Sequence, residues 1–228
     1  MHIKKVLFKI ARSRFAAYFV GFAFAHFTRL MPLERHLENR QIIVFKHPAP
    51  SWQTHWLGVP KRRLRSLAAL DLNDAETQQI ILAVYQGLLK TAVSLNLPSF
   101  AILVNGGSYQ DVPQLHFHLI SGPTASGKTW EPEQYALPAV ATEITQNDCA
   151  IAYPHPVSSR DFHFIIVPQP SDKPFHKTDF TQPEEWEVVT AVLQLAQHLI
   201  TQHNLPAYRL QLNRPQSQSA PMTFHLLT

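Results

Sequence analysis

The sequence has a single cysteine, Cys149, in 228 residues. An internal disulfide and a cysteine-based zinc cluster are therefore excluded, and a reducing, cytoplasmic setting is the expectation. Charge is also scarce. Asp, Glu, Lys and Arg make up 16% of the chain against 45% hydrophobic residues, a balance that suits a folded globular protein rather than a disordered one. The main apolar run, Phe15 to Phe27, has thirteen residues, short of the roughly 20 a membrane-spanning helix requires. What charge there is leans positive, at +4, with basic patches from Lys4 to Arg14 and from Lys61 to Arg65. Such patches favour anionic ligands, such as nucleotides, or a lipid surface. Basic and aromatic residues are not interleaved as in single-strand readers, so no nucleic-acid partner is expected.

Residues 1–37 read as an N-terminal helical segment. The apolar run follows Lys4, Lys5, Lys9, Arg12 and Arg14, and Ala23-Phe24-Ala25 resembles a small-x-small cleavage site. A retained amphipathic helix with its basic end at a membrane surface is favoured over a cleaved signal peptide.

The rest of the chain is written twice. Shifted by 108 positions without a gap, His47-Pro48 falls on His155-Pro156, His55 on His163, and Val59-Pro60 on Val167-Pro168. Asn96-Leu97-Pro98 then falls on Asn204-Leu205-Pro206, and Asn105 on Asn213. Residues 41–120 against 149–228 give 19 identities in 80, where ordinary composition gives roughly five. This is an internal duplication. Asn73-x-x-Glu76 and Thr181-x-x-Glu184 have capping-box spacing. Each opens a helix, with Ile80, Ile81, Val84 and Leu88 on one and Val188, Val189, Val192 and Ile200 on the other.

Strands are expected at 41–46, 54–60, 100–105 and 115–120, and again at 149–154, 161–168, 208–213 and 222–227. Each unit is strand, strand, helix, strand, strand, which predicts an α+β fold with an antiparallel sheet. The units span 38–121 and 149–228, joined by a Pro-, Gly-, Ser- and Thr-rich linker at 122–148.

The most chemical segment is Gln114-Leu115-His116-Phe117-His118-Leu119-Ile120. Alternation in a strand puts His116 and His118 on one face and the apolar residues on the other. Imidazole titrates nearest neutrality, so the pair suits a nucleophile, an acid and base, or metal ligands. The metal reading is disfavoured, because the next glutamate after H-x-H is Glu131, beyond the short spacing that cupin-type sites use. Residues 122–129, Gly-Pro-Thr-Ala-Ser-Gly-Lys-Thr, match a phosphate-cradling P-loop. Pro132 and Pro138 compromise the helix such a loop requires, so a flexible loop is favoured.

The order Thr54-His55-Trp56-Leu57-Gly58-Val59-Pro60-Lys61, a capped helix, Val104-Asn105, then Gln110-x-Val112-x-Gln114-x-His116-x-His118-Leu119-Ile120 resembles the histidine-triad (HIT) superfamily, nearest its Hint branch. The resemblance covers residues 38–122 well and reaches 149–228 only through the repeat. It implies tandem HIT-like units forming an intrachain pseudo-dimer, and hence a monomer. It also implies a nucleotide substrate, no cofactor and no metal. His116 stands at the family's nucleophile and His118 at its third histidine. Gln114 replaces the first histidine, and His55 stands at a further active-site histidine. Asn105 and Gln110 match residues lining the phosphate site. His47 stands where many members have an acidic residue on the ribose, and Asp111 where Hint-type members have a serine.

The implied reaction is attack by neutral His116 on the α-phosphorus of a nucleoside phosphoramidate or dinucleoside polyphosphate, then release of the nucleotide by water. A nucleotidyltransferase or phosphorylase of tandem-HIT type, or a nucleotide-binding module without turnover, are the alternatives. In the gapless alignment Phe224 replaces His116 and Leu226 replaces His118, so the second unit is expected to have lost its site histidines.

Overall fold

The computed structural model describes residues 33–130, 132, 144–168, 180, 183–216 and 223–228. The expected N-terminal helix, and Thr181 of the second capping box, lie outside the described residues. No described helix is long and apolar enough to cross a membrane.

The elements run β1 (Arg35–Glu38), β2 (Ile42–Lys46), β3 (Trp52–Pro60), a 3-10 turn (Leu67–Ala69), α1 (Ala75–Ser94), β4 (Phe100–Gly107) and β5 (Phe117–Thr124). They continue with β6 (Thr145–Gln146), β7 (Ala150–Pro154), β8 (His163–Pro168), α2 (Pro183–Gln202), β9 (Ala207–Arg214) and β10 (Thr223–Leu227). The eight expected strands and both helices are present. Short β1 and β6, too brief for a periodicity, cap the two edges.

All ten strands join one antiparallel sheet in the order β1-β2-β3-β5-β4-β9-β10-β8-β7-β6. Among the described residues the fold is α+β, with a large antiparallel sheet and two α-helices. At its middle β4 pairs with β9, and the ladder sets Leu103 opposite Gln211, 108 positions apart in the chain. Alternate residues of each strand face the helices. Ile42, Val44, Ile102, Val104, Ile166, Leu210 and Leu212 join one buried cluster with Ile80, Ile81, Val84, Leu88, Val189, Val192 and Leu199. Tyr85 of α1 ties the middle together, edge-on to Phe117, Phe180 and Phe224. Gly106 permits the close crossing of β4 and β9 there, because a Cβ would lie 1.9 Å from the ring of Tyr208.

The first helix starts one residue later than the capping box predicts. Asp74, not Asn73, is the N-cap, and its side chain accepts from the Glu76 and Thr77 amides. Thr77 hydroxyl and Arg62 also bond this carboxylate and hold its pKa down at about 2. Glu76 is thereby placed to pair with Arg62 rather than to reach back to the cap. Both helices end as their Asn-Leu-Pro triplets suggest. Asn96 and Asn204 take left-handed φ values of 51° and 48°. Leu97 and Leu205 amides close back to the Ala92 and Ile200 carbonyls at 3.0 Å, the bonds of a helix-terminating Schellman turn.

The P-loop-like run is a self-bonded turn at the end of β5. The Thr124 amide donates to the Lys128 carbonyl at 2.9 Å, and the Gly127 amide to the Thr124 carbonyl at 2.8 Å. The Lys128 amide goes to the Thr124 hydroxyl. These amides are spent on the loop itself, and no helix follows through residue 130, so the run lacks the open cradle that a phosphate requires.

Candidate active site

The histidines meet on the sheet face opposite the helices. β3 and β5 are neighbours, with Leu57 opposite His118 and His55 opposite Ile120. This diagonal brings His55 Nε2 to 2.9 Å from His118 Nδ1. His47, in the turn after β2, stacks on His55 with ring centres 4.1 Å apart. His116, the residue just before β5, lies edge-on to His118 at 4.9 Å between centres.

The hydrogen bonds fix the tautomers if the rings are neutral, and burial favours neutrality. Burial pushes His55 down to about 3, helped by the neighbouring His47 and His116. Burial also lowers His47, His116 and His118, the last well below its usual value with help from the charges around it. A backbone amide can only donate, so the Ser51 amide, 3.1 Å from His55 Nδ1, makes that nitrogen the acceptor and leaves the proton on Nε2. That proton goes to His118 Nδ1, which puts the remaining hydrogen of His118 on Nε2. A carbonyl can only accept, so the bond of 2.8 Å from His116 Nδ1 to the Gln114 carbonyl places the His116 proton on Nδ1. His116 therefore presents a bare Nε2 lone pair, and His118 presents an N–H. The His118 Nε2 is buried and has no partner, a state that costs about 1–3 kcal/mol.

The remaining expected residues divide. Asn105, in β4, lies across from His116 by extension of the β4/β5 ladder, and its Oδ1 accepts from Arg209 Nε at 3.0 Å. The charge of Asp111 acts on His116, raising its pKa against the stronger effect of burial. The Gln114 side chain does not join the imidazoles. It is buried, and its Nε2 donates to the Pro60 and Arg62 carbonyls, each at 3.1 Å. Gln110 Nε2 similarly donates to the Arg65 and Val112 carbonyls. Both amides pin the 61–65 loop beside the segment that carries His116. Arg209 was not singled out from the sequence, since its place beside Asn105 depends on the long-range β4/β9 pairing.

Among the described residues, His47, His55 and His118 form the one histidine or acidic group whose donor atoms, all within 4.8 Å, could hold a metal ion. Both ring nitrogens of His55 are already engaged, Nδ1 by the Ser51 amide and Nε2 by His118 Nδ1, so a metal bound through His55 would have to displace one of those bonds.

The second half corrects one expectation. His163 Nε2 lies 2.9 Å from His225 Nδ1, and His155 stacks on His163 with centres 4.3 Å apart. His225 pairs with Ile165 and Gln211, as His118 pairs with Leu57 and Leu103. His225, not Leu226, thus stands at the place of His118, and Thr223, not Phe224, at that of His116. The last strand is out of step with the gapless shift by one residue. Phe117-His118-Leu119 against Phe224-His225-Leu226 is the signal that a single gap recovers. The Thr223 hydroxyl bonds His225 Nε2 at 2.8 Å, so the nitrogen left open in the first cluster is closed in the second.

Residues 31–125 match the HIT domain family model. That stretch is a HIT domain. His47, His55, His116 and His118 all lie within that HIT domain. Searched against curated proteins, the chain has no match. Among solved structures it is similar to an ADP-glucose phosphorylase from Arabidopsis thaliana with bound ADP-glucose. That match has TM-score 0.59 and 12% identity, over 90% of this chain and 79% of the other. A GalT-like protein from Arabidopsis thaliana gives TM-score 0.58 and 12% identity, over 90% and 81%. A HIT family hydrolase from Clostridium thermocellum gives TM-score 0.40 and 24% identity, over 44% of this chain and 89% of that one. The two Arabidopsis structures share the fold across both halves of this chain.

Proposed function

We propose that the chain transfers a nucleotidyl group through His116. The observation that carries this is the open lone pair of His116 Nε2 beside the unpartnered Nε2–H of His118. His116 Nε2 attacks the α-phosphorus, a P–N bond forms, and the bond from phosphorus to the leaving group breaks. His118 Nε2–H and the Asn105 amide stabilise charge on the phosphoryl oxygens, the term that contributes most to such reactions. Attack by water on the nucleotidyl-His116 then releases a nucleoside monophosphate and returns the imidazole to its starting form. Gln114 serves through its backbone carbonyl, which holds His116 Nδ1, and through the side-chain clamp on Pro60 and Arg62. The two halves act as one intrachain pseudo-dimer with a single reactive site.

A second acceptor is favoured by one observation, the whole-chain likeness to a tandem fold whose named activity is ADP-glucose phosphorolysis. With inorganic phosphate as acceptor the product is a nucleoside diphosphate. The test is incubation with a dinucleoside polyphosphate, a nucleotide sugar and a nucleoside phosphoramidate, with and without phosphate. Monophosphate in both conditions supports hydrolysis, and diphosphate only with phosphate supports phosphorolysis. Binding without either product leaves a nucleotide-binding module, and equal turnover by His116→Ala sinks the nucleotidyl-histidine.

A further inference from the structure

The two halves differ most at the strand pair that joins them. In β4/β9 Asn105 faces Arg209, while the reciprocal position sets Asn213 opposite Ala101. The half without the nucleophile therefore places a guanidinium beside the site, and receives only a methyl group in return. Asn213 Oδ1 is instead bonded by Gln211 of its own strand.

Leu210 and Leu212 face the helices, so Arg209 points to the face that holds His116, Asn105 and His118. Across β5, β4 and β9 the residues His116, Asn105 and Arg209 form one lateral row, each step about 4.8 Å. Arg209 Nε is occupied by Asn105 Oδ1. Its two terminal nitrogens have no acceptor among the described residues, and no described carboxylate forms an ion pair with it. The charged neighbours that act on it are Arg160 and the ionisable hydroxyl of Tyr109. Burial lowers its pKa, but guanidinium remains charged at any ordinary pH. A half-buried guanidinium with two open amino groups is a ready partner for a phosphate, which it can grip with two parallel bonds.

Its place in the row selects which phosphate. The α-phosphate must lie against His116 Nε2, within reach of His118 Nε2–H and Asn105. Arg209 lies one strand further from His116 than Asn105 does, where the group beyond the reacting phosphorus would extend. We infer that Arg209 grips the second phosphate of the substrate, so that the site takes nucleotides with a phosphoanhydride, such as dinucleoside polyphosphates or nucleotide sugars, in preference to phosphoramidates. This rests on the nucleotidyl-transfer role proposed for His116.

The test measures AMP and ADP binding by titration calorimetry on full-length His116→Ala protein, with Arg209 intact, Arg209→Gln or Arg209→Lys. With Arg209 intact, ADP binds more tightly than AMP. Arg209→Gln weakens ADP roughly ten- to a hundredfold, as expected for a charged hydrogen-bonding partner, and leaves AMP within about threefold on the same scale. Arg209→Lys, which keeps the charge without the fork, restores part of the difference. An ADP-to-AMP ratio unchanged by Arg209→Gln overturns the inference, as does equal weakening of both nucleotides or absence of ADP binding with Arg209 intact. Failure of the His116 chemistry shows separately, as turnover surviving in His116→Ala.

Discussion

A buried N–H with nothing to receive it, on His118 Nε2, is held in place by its own partners. The Ser51 amide fixes His55, and His55 fixes His118. His55→Phe keeps a ring in the pocket but removes the donor that sets the His118 tautomer. Steady-state kinetics on that variant should show kcat falling roughly a hundredfold or more, the scale of losing one donor to the developing charge, with KM little changed. A kcat within a few-fold of wild type contradicts the tautomer chain. Gln114 acts at a different point. Gln114→Leu leaves the Pro60 and Arg62 carbonyls without their donor. It should lower unfolding stability by about 1–3 kcal/mol in urea titration. The places of His116 and His118 were legible because alternation is a local property of the strand. The direction of Gln114 was not, because it precedes β5 in a segment that no longer alternates, where two distant carbonyls decide its rotamer.

The strands and helices follow from patterns within a few residues, which is why eight strands and two helices could be placed from the chain alone. Caps are finer. Asn73 and Asp74 both suit an N-cap, and the choice of Asp74 depends on Arg62, which reaches it from the loop after β3. Asp74→Ala should lower the thermal unfolding midpoint, as loss of a cap does. The end of the chain shows how a gapless comparison fails. One residue fewer precedes β10, so its alternation is shifted, and His225 faces His163 where Leu226 was expected. Tyr85 joins the elements at the middle, touching β5 and β10 through Phe117 and Phe224. Tyr85→Ala should cost about 3–5 kcal/mol, as truncation of a large buried aromatic does, and chemical denaturation measures it.

Across the molecule, two imidazole clusters lie on one face of a single sheet, and one of them is open. Both carry a pH signature. Burial holds His55 near 3, His163 near 4 and His225 near 3, below the ordinary imidazole value in the unfolded chain. The unfolded state therefore binds more protons between about pH 6.5 and 3–4, and stability rises with pH across that window. Denaturation midpoints should fall as pH drops from 7 to 4, and a His163→Leu, His225→Leu double variant should show a shallower fall; a midpoint flat with pH contradicts neutral burial. Among the described residues, only the first cluster has a buried ring nitrogen without a partner, and there an imidazole, His116, stands where the second has Thr223. The proposed transfer runs through a covalent nucleotidyl-His116. The most direct measurement is mass spectrometry of protein mixed briefly with a dinucleoside polyphosphate and quenched in alkali, where a phosphorus–nitrogen bond persists. The prediction is a nucleoside monophosphate adduct on the peptide carrying His116, absent from His116→Ala. Turnover with no adduct, or an adduct on another residue, contradicts it.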